Sequence, residues 1–412
     1  MGSMATLSIG SYDFVSYKNT FGDLLTLFYE GDRKTLSEEI DEKIHTKYFF
    51  STTVSHAKKC LDLLGYTLNK AREVFESNKL EKIEFLRKYD MGGSYEFSID
   101  DMEMEFTFDN WCCAAWHYAR VLSKDEFSSE CIYTELERQR LKQHTVSERI
   151  VLDSLPFDKN GTFFGIQNES WEIFRIILEA FDEDQEICLD YTNLFEGGWC
   201  EVIPDEESYD IQKIVVLTEG KYDAFVISQS MRLLYPYMSK FYSFMDFSSV
   251  NVQGSTSFLT HYLKAFIGAK IENKIIALYD NDAAGLSEIK SLESVVLPHN
   301  VRLMHLPNLT LCDSYPTIGP TDNENANING RACSIELFLG KDILTVEEKL
   351  IPIMWTGYID KVKAYQGEIM SKGDIQKKFK GKLQEAEEKG VQYLDDWCEL
   401  DILLNSIFGA FF

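Results

Sequence analysis

Four carboxylates stand where two runs of β-forming residues stop. KIVVLTEGKYDAF ends an aliphatic run on Glu219, with Asp223 four positions on, and IIALYDNDAAG ends another on Asp280 and Asp282. Each pair is followed by helix-like sequence. Catalytic groups and ligands collect at the carboxyl ends of parallel strands. Hard cations such as Mg²⁺ take oxygen ligands from a few carboxylates and from phosphates. Asp280 and Asp282 flank Asn281 directly after a buried-type strand, so like charges are held close together at a cost that a cation relieves. The small residues Ala283, Ala284 and Gly285 let the next helix pack against the sheet and keep the site open. Glu219 precedes Gly220, which lets backbone approach a substrate closely. Alone, Asp223 also fits a carboxylate favoured at a helix N-terminus; the order of both motifs on matching elements points to a divalent-metal site.

The elements that hold these acids alternate strand and helix. Strands are expected at Lys213–Leu217, Tyr242–Asp246, Ile275–Tyr279 and Arg302–Leu306. Helices are expected at Asp223–Leu234, from the Gly254–Ser255 turn to Ile267, and at Ala283–Leu292. This alternation predicts an α/β fold with a mostly parallel sheet flanked by helices and right-handed crossovers. Residues 307–330 read as a long loop of the kind that is usually functional. From Ser334 to the end the chain reads as helical.

The first half carries no chemical motif and reads as α+β. A strand is expected over Thr6–Tyr17, a helix over Thr20–Tyr29 and mainly helix over 51–88. A hairpin is expected over Ser94–Phe108, and helices over Trp111–Leu122 and Trp171–Phe181. A short strand after Cys188 and a Gly197–Gly198 turn lead to the polar stretch Pro204–Asp210, the expected domain boundary. The domains are thus 4–203, 211–340 and a helical extension, 341–412.

Composition bounds the possibilities. The 412 residues, 45% of them apolar, suffice for two or three cores and exclude general disorder. No apolar run reaches membrane-spanning length and the first residues lack a signal peptide's pattern, so a cytoplasmic protein is expected; Met1–Ser3 read as an expression scar before Met4. Nine cysteines without paired C-x-x-C spacing read as reduced core thiols. A net charge of −26 opposes nucleic-acid binding unless answered locally. The candidates are the basic island Lys372, Lys377, Lys378, Lys380 and Lys382, the bound metal itself, or a partner's basic surface. A solvated helix face explains those lysines equally well.

The EGK and DND segments resemble the Toprim domain of topoisomerases, primases and nucleases. The wider set TEGKYDAF, LLYPYM, FYSFMDF, ALYDNDAAG, YPTIGP, NGRACSIELFLG, YQGEI and SKGDIQKKF resembles bacterial proteins with a HEPN/Toprim-associated N-terminal domain, whose end is similar to LDYTNLFEGGW at Leu189–Trp199. Members occur in anti-phage defence, and their Toprim halves are similar to nucleases of the overcoming-lysogenization-defect type. The resemblance implies two Mg²⁺ or Mn²⁺ ions, with Glu219 and Asp223 holding one and Asp280 and Asp282 bridging or holding the second. It makes Glu336 a further ligand and has Lys372 stabilise charge on the transferred phosphate. It also implies a nucleic-acid substrate, DNA or RNA with tRNA included, and a homo-oligomer or partner protein such as an ATPase that restrains the activity. Gln253–Gly254 departs from the commoner Gly-Gly pair.

Other features carry less. Arg138 and His144 have the spacing of a HEPN ribonuclease motif, which also arises in charged helices. His117, between aromatic residues, reads as a core or capping histidine. His261 and His305 lack metal-ligand spacing, and Tyr222 and Tyr279 sit where aromatic packing is ordinary. A primase or topoisomerase lacks its other modules here. A noncatalytic scaffold or sensor subunit is the rival class.

Overall fold

The computed structural model describes residues 2–40, 43–89, 98–124, 143–154, 162–163, 166–167, 170–200, 212–245, 254–319, 324–391 and 397–411. The chain forms two compact units, Met1–Asp210 and Ile211–Phe412. It is mixed α/β. No helix among the described residues is long and apolar enough to cross a membrane.

In the first unit, β1 (Met4–Ile9) and β2 (Tyr12–Lys18) form a hairpin where one strand was expected. Gly10, at φ +56°, supplies the left-handed turn between them. They join β3 (Arg33–Ile40) and β4 (Lys43–Thr53) in an antiparallel sheet through a strand later in the chain. The two were not anticipated, because residues 33–39 of β3 are exposed on both faces and show no period-two burial. The helix expected over Thr20–Tyr29 is only a 3₁₀ turn at Leu24–Leu27. Leu24, Leu25, Leu27 and Phe28 are all buried, which leaves no polar helix face.

The helices α1 (Val54–Leu64) and α2 (Leu68–Lys88) follow the expected pattern, each N-capped by a threonine side chain. The hairpin expected over Ser94–Phe108 is replaced, over its described part, by α3 (Ile99–Glu105) and the start of α4 (Phe108–Leu122). Ser98 and Asp101 close a capping box and Thr107 caps α4, so local capping outweighs the alternation of Met104, Phe106 and Phe108. Residues 94–97 lie outside the described residues. α5 (Val146–Ser154), the short pair β5 (Thr162–Phe163) and β6 (Ile166–Gln167), α6 (Ser170–Ile177), β7 (Glu186–Asp190) and α7 (Thr192–Glu196) complete the unit. The sheet order is β2-β1-β7-β4-β3.

The second unit is built on a parallel sheet. β8 (Ile214–Thr218) leads through α8 (Lys221–Leu234) and the short α9 (Pro236–Ser239) to β9 (Tyr242–Phe244). α10 (Thr256–Gly268) precedes β10 (Ile275–Tyr279), and the two-residue β11 (Asn281–Asp282) runs into α11 (Ala283–Ser291) and then β12 (Val301–His305). The order is β12-β10-β8-β9, and every pairing is parallel. All five residues of β10 are buried, as a central parallel strand requires, and Leu217, Ala277, Tyr279, Leu259 and Leu263 share one core. Each of these leucines contributes about 1.5–3 kcal/mol by burial.

Two expectations for the remainder are corrected. The stretch 307–330 is not simply a loop: it holds a 3₁₀ turn at Thr310–Ser314, β13 (Tyr315–Ile318) and β14 (Asn325–Ala326). The chain after Ser334 is not helical throughout. It follows β15 (Ala332–Cys333) with a 3₁₀ turn at Ile335–Phe338 and α12 (Lys341–Leu344). Then come the strands β16 (Thr345–Val346), β17 (Lys349–Leu350), β18 (Ile353–Ile359) and β19 (Ala364–Ile369). IMWTGYI and AYQGEI are rich in β-branched and aromatic residues and are joined by a tight turn with Lys363 at φ +51°, a hairpin by composition and turn. Among the described residues, only α13 (Lys372–Lys389) and α14 (Cys398–Phe408) are longer helices there. β13 runs parallel to β18, and β18 antiparallel to β19.

Candidate active site

The order β12-β10-β8-β9 has a switch point. From β8 the chain crosses to β9 on one side, and from β10 to β12 on the other. The crevice between the carboxyl ends of β8 and β10 is where open α/β sheets bind ligands. Glu219 is the first residue after β8 and Asp280 the first after β10. The backbone N–H of Asp280 donates to Glu219 Oε1 at 2.9 Å, and the Thr256 hydroxyl donates to Oε2 at 2.6 Å. Gly254 is forced by this closeness: a Cβ there would lie 2.6 Å from the Glu219 carbonyl oxygen. Gly285 is forced in the same way, since a Cβ would lie 2.3 Å from the carbonyl oxygen of Asp280.

The other acids differ in how they are held. Asp223, in the first turn of α8, accepts from the backbone N–H of Gly220. Asp282 is the N-cap of α11, accepting from the Gly285 N–H at 2.7 Å through Oδ1 and from Gln366 Nε2 at 2.5 Å through Oδ2. Glu336 lies in the 3₁₀ turn after β15 and is fully buried; β15 pairs with β11, which ties this turn to the Asp280–Asp282 segment. Its Oε2 accepts from the Ser334 hydroxyl at 2.8 Å and its Oε1 from Gln376 Nε2 at 3.0 Å. Lys372, the first residue of α13 and half exposed, forms an ion pair with Glu336 at 3.1 Å. Asp280 stands apart: among the described residues no donor or cation contacts its carboxylate.

The acids repel one another in a buried place. Burial is the largest cause for each, and neighbouring carboxylates add to it for Glu219, Asp223 and Asp280. Glu219 is pushed up to about 7 and Asp223 to about 7, while Asp280 is held well above the carboxylate range by burial and by Asp223, Glu219, Asp282 and Glu336. Asp282 is raised by burial against its hydrogen bonds from Gly285, Gln366 and the Ala284 backbone and the nearby charge of Lys372. Burial lowers Lys372, but Glu336, Asp280 and Asp223 outweigh it and the ammonium is favoured.

The donor set is all oxygen and carries excess negative charge, which suits Mg²⁺ or Mn²⁺ rather than a soft metal. As it stands, however, no group of three His, Cys, Asp or Glu side chains among the described residues is drawn together closely enough to hold a metal ion. Among the described residues no hydrogen bond holds the Asp280 carboxylate.

The remaining expectations resolve individually. Arg138 lies outside the described residues, and His144 Nδ1 is 3.5 Å from the Tyr118 hydroxyl. His117 is exposed, its ring edge-on to Tyr118, so it is neither a core nor a capping residue. The Nδ1 atoms of His261 and His305 bond the carbonyls of Ser257 and Leu306. Tyr279 is buried with its hydroxyl 2.9 Å from that of Thr260, and the Tyr222 hydroxyl is buried without a partner among the described residues. Of the basic island, Lys382 is structural: it is buried and donates to the Leu339 carbonyl and Asp342. Lys377, Lys378 and Lys380 are exposed. The cysteines of the described residues are free thiols. Thr256, Ser334, Gln366 and Gln376 are not legible in the sequence, because neutral hydrogen-bonding residues have no spacing signature.

The family model HEPN/Toprim N-terminal domain 1 matches residues 1–213. No curated protein and no solved structure matches the chain. The match spans just over half of the 412 residues, and it coincides with the antiparallel unit that precedes the carboxylate crevice, so the chain belongs to the HEPN/Toprim N-terminal domain 1 family.

Proposed function

We propose that the second unit is a Toprim-type nuclease domain that hydrolyses phosphodiester bonds in DNA or RNA with two Mg²⁺ or Mn²⁺ ions. The observation that carries this reading is the position of Glu219 and Asp280 at the switch point of a parallel sheet, with no hydrogen bond to the Asp280 carboxylate among the described residues. When bound, the ions supply Lewis-acid charge at the phosphoryl oxygens of an in-line displacement. Glu219, Asp223, Asp280 and Asp282 would hold the ions, with Glu336 as a further ligand. Glu219, fixed by the Thr256 hydroxyl and the Asp280 N–H, is also the residue that takes the proton of the attacking water. Lys372 steadies negative charge on the phosphate. The N-termini of α8, α10 and α11 begin beside these acids and add partial positive charge for an anionic substrate.

Membership of the HEPN/Toprim family and the resemblance of the motifs support a role as an effector of bacterial anti-phage defence, cytoplasmic, with oligomerisation or an ATPase partner restraining it. A second reading, a noncatalytic scaffold or sensor, is favoured by the open spacing of the acids.

Incubation with plasmid, single-stranded DNA, total RNA and tRNA, with Mn²⁺ or with EDTA, separates the two. Cleavage by the wild type in Mn²⁺ alone is expected, with losses of more than about a hundredfold for Glu219→Ala, Asp223→Ala and Asp280→Ala, since even outer partners of a metal site are worth 10–100-fold. Full activity of Glu219→Ala or Asp280→Ala, in a preparation free of contaminating nuclease, overturns the assignment.

A further inference from the structure

We infer that Gln366 on β19 is a positioning residue that orients Asp282 for the divalent cation, an inference that rests on the metal-site reading above. Its carboxamide spans two groups. Nε2 donates to Asp282 Oδ2 at 2.5 Å, and Oε1 accepts from the backbone N–H of Ala284 at 3.0 Å. These partners fix the amide orientation, because a flipped amide faces oxygen with oxygen and N–H with N–H.

The consequence concerns which lone pairs Asp282 has left. Oδ1 already caps α11 through the Gly285 N–H, so the two bonds together set the plane of the carboxylate. The backbone N–H of Ala284 also bonds the carboxylate, and the lone pairs that remain point in a fixed direction. A neutral amide achieves this without a charge that competes with the cation, unlike Lys372 at Glu336. Gln376 makes the corresponding neutral contact to Glu336 at 3.0 Å. Two acids from the sheet half are thereby oriented by amides from the C-terminal hairpin and helix. The segment after residue 341, expected to be a helical appendage, is part of the site.

The test is Gln366→Met in the full chain, similar in length but without the amide. Mn²⁺ affinity by titration calorimetry is expected to weaken by about 10–100-fold, the usual result of losing an outer-shell partner. The rise in melting temperature caused by Mn²⁺ shrinks accordingly. The kcat for an oligonucleotide falls while its KM holds. Gln384→Met, an exposed change on α13, leaves all three unchanged. Should the methionine variant not fold, Gln366→Asn, one methylene short of Asp282, carries the same test. A variant that binds Mn²⁺ within twofold of a binding wild type overturns the role of Gln366 and leaves the metal site standing. A wild type that takes up no Mn²⁺ overturns both.

Discussion

Replacing Asp280 by asparagine is expected to raise the melting temperature of the metal-free protein and to abolish its response to Mn²⁺. Asparagine keeps the shape and removes one charge from the most crowded position in the crevice, where Asp223, Glu219, Asp282 and Glu336 all raise the carboxyl pKa. An uncompensated buried polar or charged group costs about 1–3 kcal/mol or more, so a gain of that order is expected in EDTA at pH 8. The sign follows from linkage. Glu219, Asp223 and Asp280 bind their protons more tightly folded than unfolded. Metal-free stability is therefore fully present below the ordinary carboxylate range and is lost as pH rises through about 7, where Glu219 and Asp223 titrate. With Mn²⁺ at a thousand times its Kd, the wild type gains about 4 kcal/mol and overtakes the variant. A variant that melts below the wild type in EDTA, or still responds to Mn²⁺, contradicts this account.

The second large effect lies in the first unit. Arg175 on α6 is buried and donates to Asp62 of α1 and to Glu179, while Lys58 of α1, also buried, reaches Glu179 and Glu183. Arg175→Met leaves Asp62 and Glu179 without their guanidinium and is expected to cost about 3–5 kcal/mol, the usual result of removing one member of a buried ion pair. Burial raises the Glu179 carboxyl, but Arg175 and Lys58 outweigh it and hold the group below the carboxylate range. The hydrogen bond from Lys58 does the same for Glu183. Their contribution is present above pH 4.5, the ordinary value, and is lost as pH falls through the depressed folded values. Urea unfolding at pH 7 and pH 3.5 is expected to show a wild-type advantage that narrows in acid. A loss below about 1 kcal/mol at pH 7 contradicts it.

The parallel sheet was legible because its strands are short apolar runs bounded by glycine and acids. Ile275–Tyr279 has the expected limits, and β8 is displaced by one residue. The carboxylates were legible for the same reason, since acids that end buried strands stand out from any packing pattern. What surrounds them was not. Gln366 and Thr256 act through single hydrogen bonds that depend on tertiary placement, and the Asp282 N-cap was legible only as a carboxylate before a helix. The β18–β19 hairpin lies inside the stretch after Ser334 that reads as helical throughout. In the first unit, β3 and β4 pair over eight positions through backbone bonds, and exposed side chains there reveal nothing of the pairing.

The most direct test of the metal site is anomalous diffraction from crystals of the full chain grown with Mn²⁺. Density is predicted in the crevice between β8 and β10, within coordination distance of Asp280 and of at least one of Glu219, Asp223 and Asp282. Crystals saturated with Mn²⁺ in which that crevice holds no anomalous density contradict the central claim.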